Sequence, residues 1–235
     1  MAQLTTTPVA GMARADSRRM SRSTSPLLAA GLVAGPLYVV VGTIEALTRP
    51  GFEPTRDDWS LLSNGELGWI QVALFISTGL LTLAGAVGMR RALADGPAST
   101  WGPRLVALYG LGLIGAGIFI ADPARGFPPG TPADAHVISW HGLMHFVSGG
   151  VGFLGLIAAC MTFARRFAGL GQTGWAAHSI ATGALFFAAF VGVASGSQPR
   201  GPVLVLVTLA FTAAVGLGWA WLSALAVKVM VESRS

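Results

Sequence analysis

Six apolar stretches, each of about the twenty residues needed to cross ~30 Å of hydrocarbon, constrain this chain more than any other feature. They lie at roughly 27–48, 68–89, 103–121, 138–162, 175–195 and 202–227 of a 235-residue sequence. None alternates polar with apolar positions, which excludes barrel strands. Within lipid a backbone must satisfy its own N–H and C=O groups, and the remaining way to do so is a helix. The expected fold class is therefore all-α, a polytopic membrane protein built as a bundle of six transmembrane helices.

Composition agrees. Only 11% of residues are charged, against about 25% in a soluble domain, and mean hydropathy is +0.65. The 32 Gly allow close helix approach and the 7 Trp supply interfacial anchors. The net charge of +5 comes from arginines dispersed among the apolar segments. That pattern indicates membrane orientation and not nucleic acid, so the expected partner is the lipid bilayer. Cys160 stands alone in an apolar run, so the chain has no intramolecular disulfide and no cysteine metal site.

Residues 1–26, with Arg14, Arg18, Arg19 and Arg22, lack hydrophobic periodicity and read as a disordered basic tail. Residues 27–229 form the transmembrane domain, and 230–235 a short second tail. The small residues at Ala13–Ala15 precede the apolar run, unlike a signal-peptide cleavage site. Placing the N-terminus in the cytoplasm puts eleven of the fifteen basic residues inside, leaving Arg49, Arg56, Arg125 and Arg200 outside. This satisfies the positive-inside rule. Trp69 and Trp140 then begin spans at the outer interface, while Trp101, Trp175, Trp219 and Trp221 fall near inner ends. The expected location is a bacterial inner membrane with both termini cytoplasmic. Glu53, Asp57, Asp58, Glu66, Asp122 and Asp134 face outward, so a site should open on that side.

The stretch Asp122–His145, DPARGFPPGTPADAHVISWHGLMH, brings the most ionisable groups against the most apolar sequence. At about 100° per residue, His141, His145, Ser148, Gly149, Gly152, Gly155 and Ala159 share one stripe of the fourth helix. Leu143, Phe146, Phe153, Leu154, Ile157 and Met161 take the other side. Glu45 follows Gly31, Gly35 and Gly42 on the first helix, and Asp122 follows Gly115 on the third. The expectation is an outward-facing polar pocket formed by Glu45, Asp122, His136, His141 and His145, with Arg125 as a natural partner for Glu45 or Asp122. Intramembrane ionisable groups are costly enough to suggest a function.

No cofactor is established by these residues. His141 and His145, as an HxxxH pair with Asp122 or His136, offer ligands to a divalent metal such as zinc. The competing reading is structural: the same side chains hydrogen-bond each other and loop backbone, fixing the helix ends. His178 should lie on the order of 20 Å in depth from His141, which argues against a bis-histidine haem. The prolines at 123, 128, 129 and 132, with Gly126 and Gly130, restrict the loop backbone and suggest an ordered cap. Ser60 and Ser63 read as turn residues, and no Walker A, Rossmann or GxSxG motif occurs. Gly31 and Gly35 form a GxxxG that suits packing inside the bundle or between subunits of a homo-oligomer.

The GPLYVVVG opening of the first helix, the loop PGFEPTRDDWSLLSNGELGWIQ, GIFIADP, GFPPGTP and SWHGLMH together resemble a family of bacterial and archaeal six-helix membrane proteins, domain of unknown function 998. The likeness covers residues 27–227. It implies six spanning helices with no established activity, and it marks Asp122, Pro123, His141 and His145. A partial likeness to intramembrane metal hydrolases of the alkaline ceramidase type rests on Asp122, His136, His141 and His145. Those proteins have seven helices and distribute these residues differently. Function is thus expected to be an outward polar pocket of uncharacterised use, a metal-dependent lipid or acyl hydrolase, or a small transporter or proton/cation sensor.

Overall fold

A computed structural model describes residues 9–93, 96–135, 138–194 and 201–233, with side chains from residue 24 onward except at Pro97. The elements are α1 (Val9–Thr48), α2 (Gly68–Ala92), α3 (Pro97–Ile118), α4 (Trp140–Gly169), α5 (Thr173–Ala194) and α6 (Gly201–Glu232). A one-turn 3-10 helix, Trp59–Ser63, lies between α1 and α2. All 6 long helices hold a segment apolar enough to cross a membrane, Thr24–Thr48 in the case of α1. Helix α1 reaches back to Val9, into the stretch read as a tail. Residues 1–8, His136 and Arg200 lie outside the described residues.

Boundaries differ from the hydropathy reading where local chemistry overrides it. Helix α3 starts at Pro97 and not near 103. Proline at the first helical position lacks an N–H that would be unpaired there anyway, and hydropathy is blind to the polar Ser99–Thr100 turn. The α4–α5 reversal uses Gly171 at φ 70°. The Gln172 amide donates to the Phe167 carbonyl at 2.8 Å and the Gly171 amide to Ala168 at 3.0 Å. Carbonyls left over at the end of α4 are thereby satisfied.

The helices stand in a ring in chain order, with α6 closing on α1. Small residues make the seams. A Cβ on Gly85 would lie 2.7 Å from the Gly31 backbone, one on Gly79 2.8 Å from the Gly110 carbonyl, and one on Gly112 2.6 Å from Gly152. Gly35 abuts the Trp219 backbone and Ser223 on α6. Both glycines of the GxxxG therefore pack inside the bundle, against α2 and α6.

Aromatic and aliphatic side chains fill the axis, among them Tyr38, Phe75, Tyr109, Leu156, Phe186 and Trp219. Each helix turns a bulky apolar residue outward: Val40, Leu80, Leu111, Leu154, Leu185 and Leu206 are 53% to 68% exposed. A belt of this kind suits hydrocarbon and not water. Trp219 and Trp221 are not interfacial anchors as expected; they are buried at 1% and 0%. Both lie well inside the long α6. Trp219 sits between the rings of Tyr38 (5.1 Å) and Tyr109 (5.2 Å), and Trp221 donates its indole N–H to Ser179 Oγ at 3.0 Å.

The two ends of the ring differ. One carries the long α1–α2 and α3–α4 connections and is called the loop end. At the other, Lys228 stands over the Trp175 ring and Gln172 donates to Glu232 at 3.4 Å, so α6 finishes beside the α4–α5 turn. Arg90, Arg91, Arg104, Arg165 and Arg166 also cluster toward that basic end.

Candidate functional site

The loop end is organised by arginines. Arg49, only 8% exposed, follows the span of α1 and pairs with Glu45 one helical turn back at 3.0 Å. It also donates to the carbonyls of Leu62 (3.2 Å) and Asn64 (2.5 Å) and lies over the Phe127 ring. One guanidinium thus ties the end of α1 to the 3-10 helix and to the second loop. Beneath it a small apolar cluster of Ala46, Phe52, Leu61, Leu62, Ala121 and Phe127 seals the joint. Phe52 meets Phe127 edge-on, with ring centres 5.3 Å apart.

Arg125 pairs with Asp58 at 2.9 Å and donates to the Arg56 carbonyl. It does not pair with Glu45 or Asp122, the partners its place in the sequence suggests. The chain reverses at this point, with Arg125 itself at φ 53° and Ala124 bridging to Phe127. That reversal carries the side chain across to the other loop. Burial pushes the Asp58 carboxyl upward from its ordinary pKa, against the opposing pull of Arg125. Asp57, fully buried, binds Arg56 at 2.7 Å and accepts the Glu53 amide at 2.9 Å.

Asp122 joins α3 to α4. Its carboxylate accepts from the Ser139 amide (2.7 Å) and the Ser139 hydroxyl (2.5 Å). That hydroxyl in turn caps α4 by accepting the Gly142 amide at 3.0 Å. The carboxylate lies where a side chain on Gly142 would be, so only glycine fits there. His145 makes the reciprocal connection. Its Nδ1 is 3.0 Å from the Ala116 carbonyl and 2.7 Å from the Phe119 carbonyl. Both partners only accept, so Nδ1 carries the proton and serves the unpaired carbonyls at the end of α3. The other ring nitrogen, Nε2, is left for a different partner.

Inside this frame lies a cavity of about 160 Å³ lined by all six helices and the 3-10 helix. Tyr38, Phe75 and Tyr109 form one wall, and Phe153, Phe190 and Phe211 another. Polar side chains around it include Asp58, Ser60, His145 and Thr212, with the phenols of Tyr38 and Tyr109. Gly149 and Gly150 lower the α4 wall; a side chain on Gly149 would meet nothing within 4 Å. Trp59 stacks on Tyr38 at 5.9 Å and roofs the space. It can do so because Gly42 has no side chain, since a Cβ there would come within 2.5 Å of the indole.

The expected site residues are therefore spread over several structures. His145 lines the cavity, Asp122 belongs to the α3–α4 connection, Glu45 lies beneath Arg49, and Arg125 holds Asp58. His141 is exposed, its ring 3.8 Å from that of Trp140, because α3 has ended at Ile118 and no helix covers the first turn of α4. His136 lies outside the described residues. Ser139 donates to both Asp122 oxygens, and His145 turns Nδ1 to backbone carbonyls, with Nε2 left over. Among the described residues no three His, Cys, Asp or Glu converge. Phe153, expected on the side away from the histidines, instead packs on Phe186, Phe190 and Phe211 in the interior. Asp58, Trp59, Tyr38 and Tyr109 were missed as site residues. The available signal was that the chain has only 2 Tyr, each set within an apolar span.

A closed ring of membrane-length helices, capped at one end by interlocked loops, defines a polytopic membrane protein of the six-helix class. More narrowly, the chain belongs to the family described as Protein of unknown function (DUF998), whose model matches residues 32–228. No curated protein and no solved structure matches the chain.

Proposed function

We propose that this chain is a bacterial inner-membrane binding protein that admits the apolar part of a small amphiphile into its axial cavity. The loop end faces outward and both termini face the cytoplasm. Orientation is supported by the charge bias, because the basic end gathers most of the lysine and arginine and cytoplasmic ends are enriched in them. The observation that carries the binding role is the cavity itself, an aromatic space with Asp58, Ser60 and His145 toward the loops. Its size compares with the roughly 150 Å³ apolar cavity that accepts benzene elsewhere. A single ring or a short branched tail suits it. Asp58, Ser60 and Nε2 of His145 would meet the polar end of such a ligand.

Retention is favoured over passage, because the axis beyond the cavity is packed. Leu156, Phe163 and Trp221 are exposed by no more than 1%. Binding is tested on purified protein with bromobenzyl alcohol, whose bromine quenches nearby indoles. Saturable quenching that disappears in Gly149→Leu, whose Cβ would meet nothing within 4 Å and whose side chain would enter the space, is expected. Equal quenching in both proteins would place the probe on the lipid-facing surface and refute the proposal.

A further inference from the structure

At the basic end, away from the cavity, a groove of about 570 Å³ runs between the start of α3 and the end of α4. Its lining combines Ala98, Trp101 and Leu105 of α3 with Thr162, Arg165 and Arg166 of α4. No acidic side chain among the described residues lines it. Trp101 is 57% exposed, with the Arg104 guanidinium 5.4 Å from its ring centre. Exposed tryptophan next to arginine is what headgroup depth selects.

The arginines are uncommitted. Neither Arg165 nor Arg166 forms an ion pair among the described residues. Nε of Arg166 is buried without a hydrogen-bond partner. A position in the last turn suits the α4 dipole, but that leaves the buried donor unexplained. Thr162 gives its hydroxyl to the Ala158 carbonyl at 2.8 Å, so the arginines are the charged donors left in the groove, beside the Trp101 indole N–H. Planar guanidinium donors match phosphate oxygens in pairs.

We infer that this groove holds the phosphate of an anionic phospholipid, bound by Arg165 and Arg166, with Trp101 at the glycerol level and an acyl chain against Leu105. The apolar wall and the position at the end of a span point to a lipid as the source of the phosphate, and not free phosphate in solution.

Native mass spectrometry of the full chain with phosphatidylglycerol, phosphatidylcholine of the same chains, or inorganic phosphate tests this. Phosphatidylglycerol should be retained preferentially, and Arg165→Gln with Arg166→Gln should weaken that retention by about tenfold or more. Arg90→Gln with Arg91→Gln, at the same end of the bundle, should leave it nearly unchanged. Equal retention of the two lipids, or equal loss in both arginine pairs, would overturn the site. Equally tight binding of inorganic phosphate would overturn the lipid as its source. Should the double variant fail to fold, exposed Arg165→Gln alone carries the comparison, with the same criteria.

Discussion

Two glycines make room for the contacts that hold the loop end. Gly142 leaves room for the Asp122 carboxylate, and Gly42 for the Trp59 indole. Gly142→Ala should cost about 1–3 kcal/mol through overpacking, read as a lower unfolding temperature in detergent. The loss should be much smaller on an Asp122→Ala background, since the colliding group is then gone; additive losses would contradict the packing. Gly42→Ala should displace Trp59 from Tyr38 and shift tryptophan emission to the red, and an unchanged spectrum would speak against the roofed cavity. Asp58 supplies a pH dependence. Its folded pKa is raised above 3.8, so the folded state favours the proton. The associated stability is present in full below that value and is lost as pH rises through the folded pKa. Unfolding temperatures measured from about pH 4 upward should fall more steeply in the native protein than in Asp58→Asn. Parallel profiles would remove Asp58 from the buried rim.

At the scale of elements, the spans were legible because hydrocarbon allows so few solutions. Twenty apolar residues in a row specify a helix almost regardless of detail. The small stripe of α4 was legible too: Ser148 and Gly152 meet Gly115 and Gly112 of α3. Helix ends and loop pairings were not. The start of α3 depends on Pro97, and the destination of Arg125 depends on a backbone reversal that no periodicity encodes. His141 lies on the same stripe as His145, yet no facing helix covers it, because a helical wheel cannot say where the facing helix stops. The orientation of the elements is open to a direct check. On a Cys160→Ala background, cysteine placed at Gly130 should react with a membrane-impermeant maleimide from outside intact cells, and cysteine at Gly171 should not. The reverse pattern would invert the bundle.

For the whole molecule, the axial cavity could not be read from the chain, because it exists only once residues from six helices and an intervening turn are brought together. Each contributes one to several side chains, and none forms a recognisable motif alone. Charged residues drew the sequence reading to the loop end, beside the cavity. Most of them, however, hold the frame together, and the cavity surface is mainly aromatic. The most direct measurement is anomalous diffraction from crystals grown with bromobenzyl alcohol. A bromine peak enclosed by Trp59, Tyr109 and Phe153 is the expected result. Bromine found only on the lipid-facing surface, with that space empty, would contradict a binding role for the cavity.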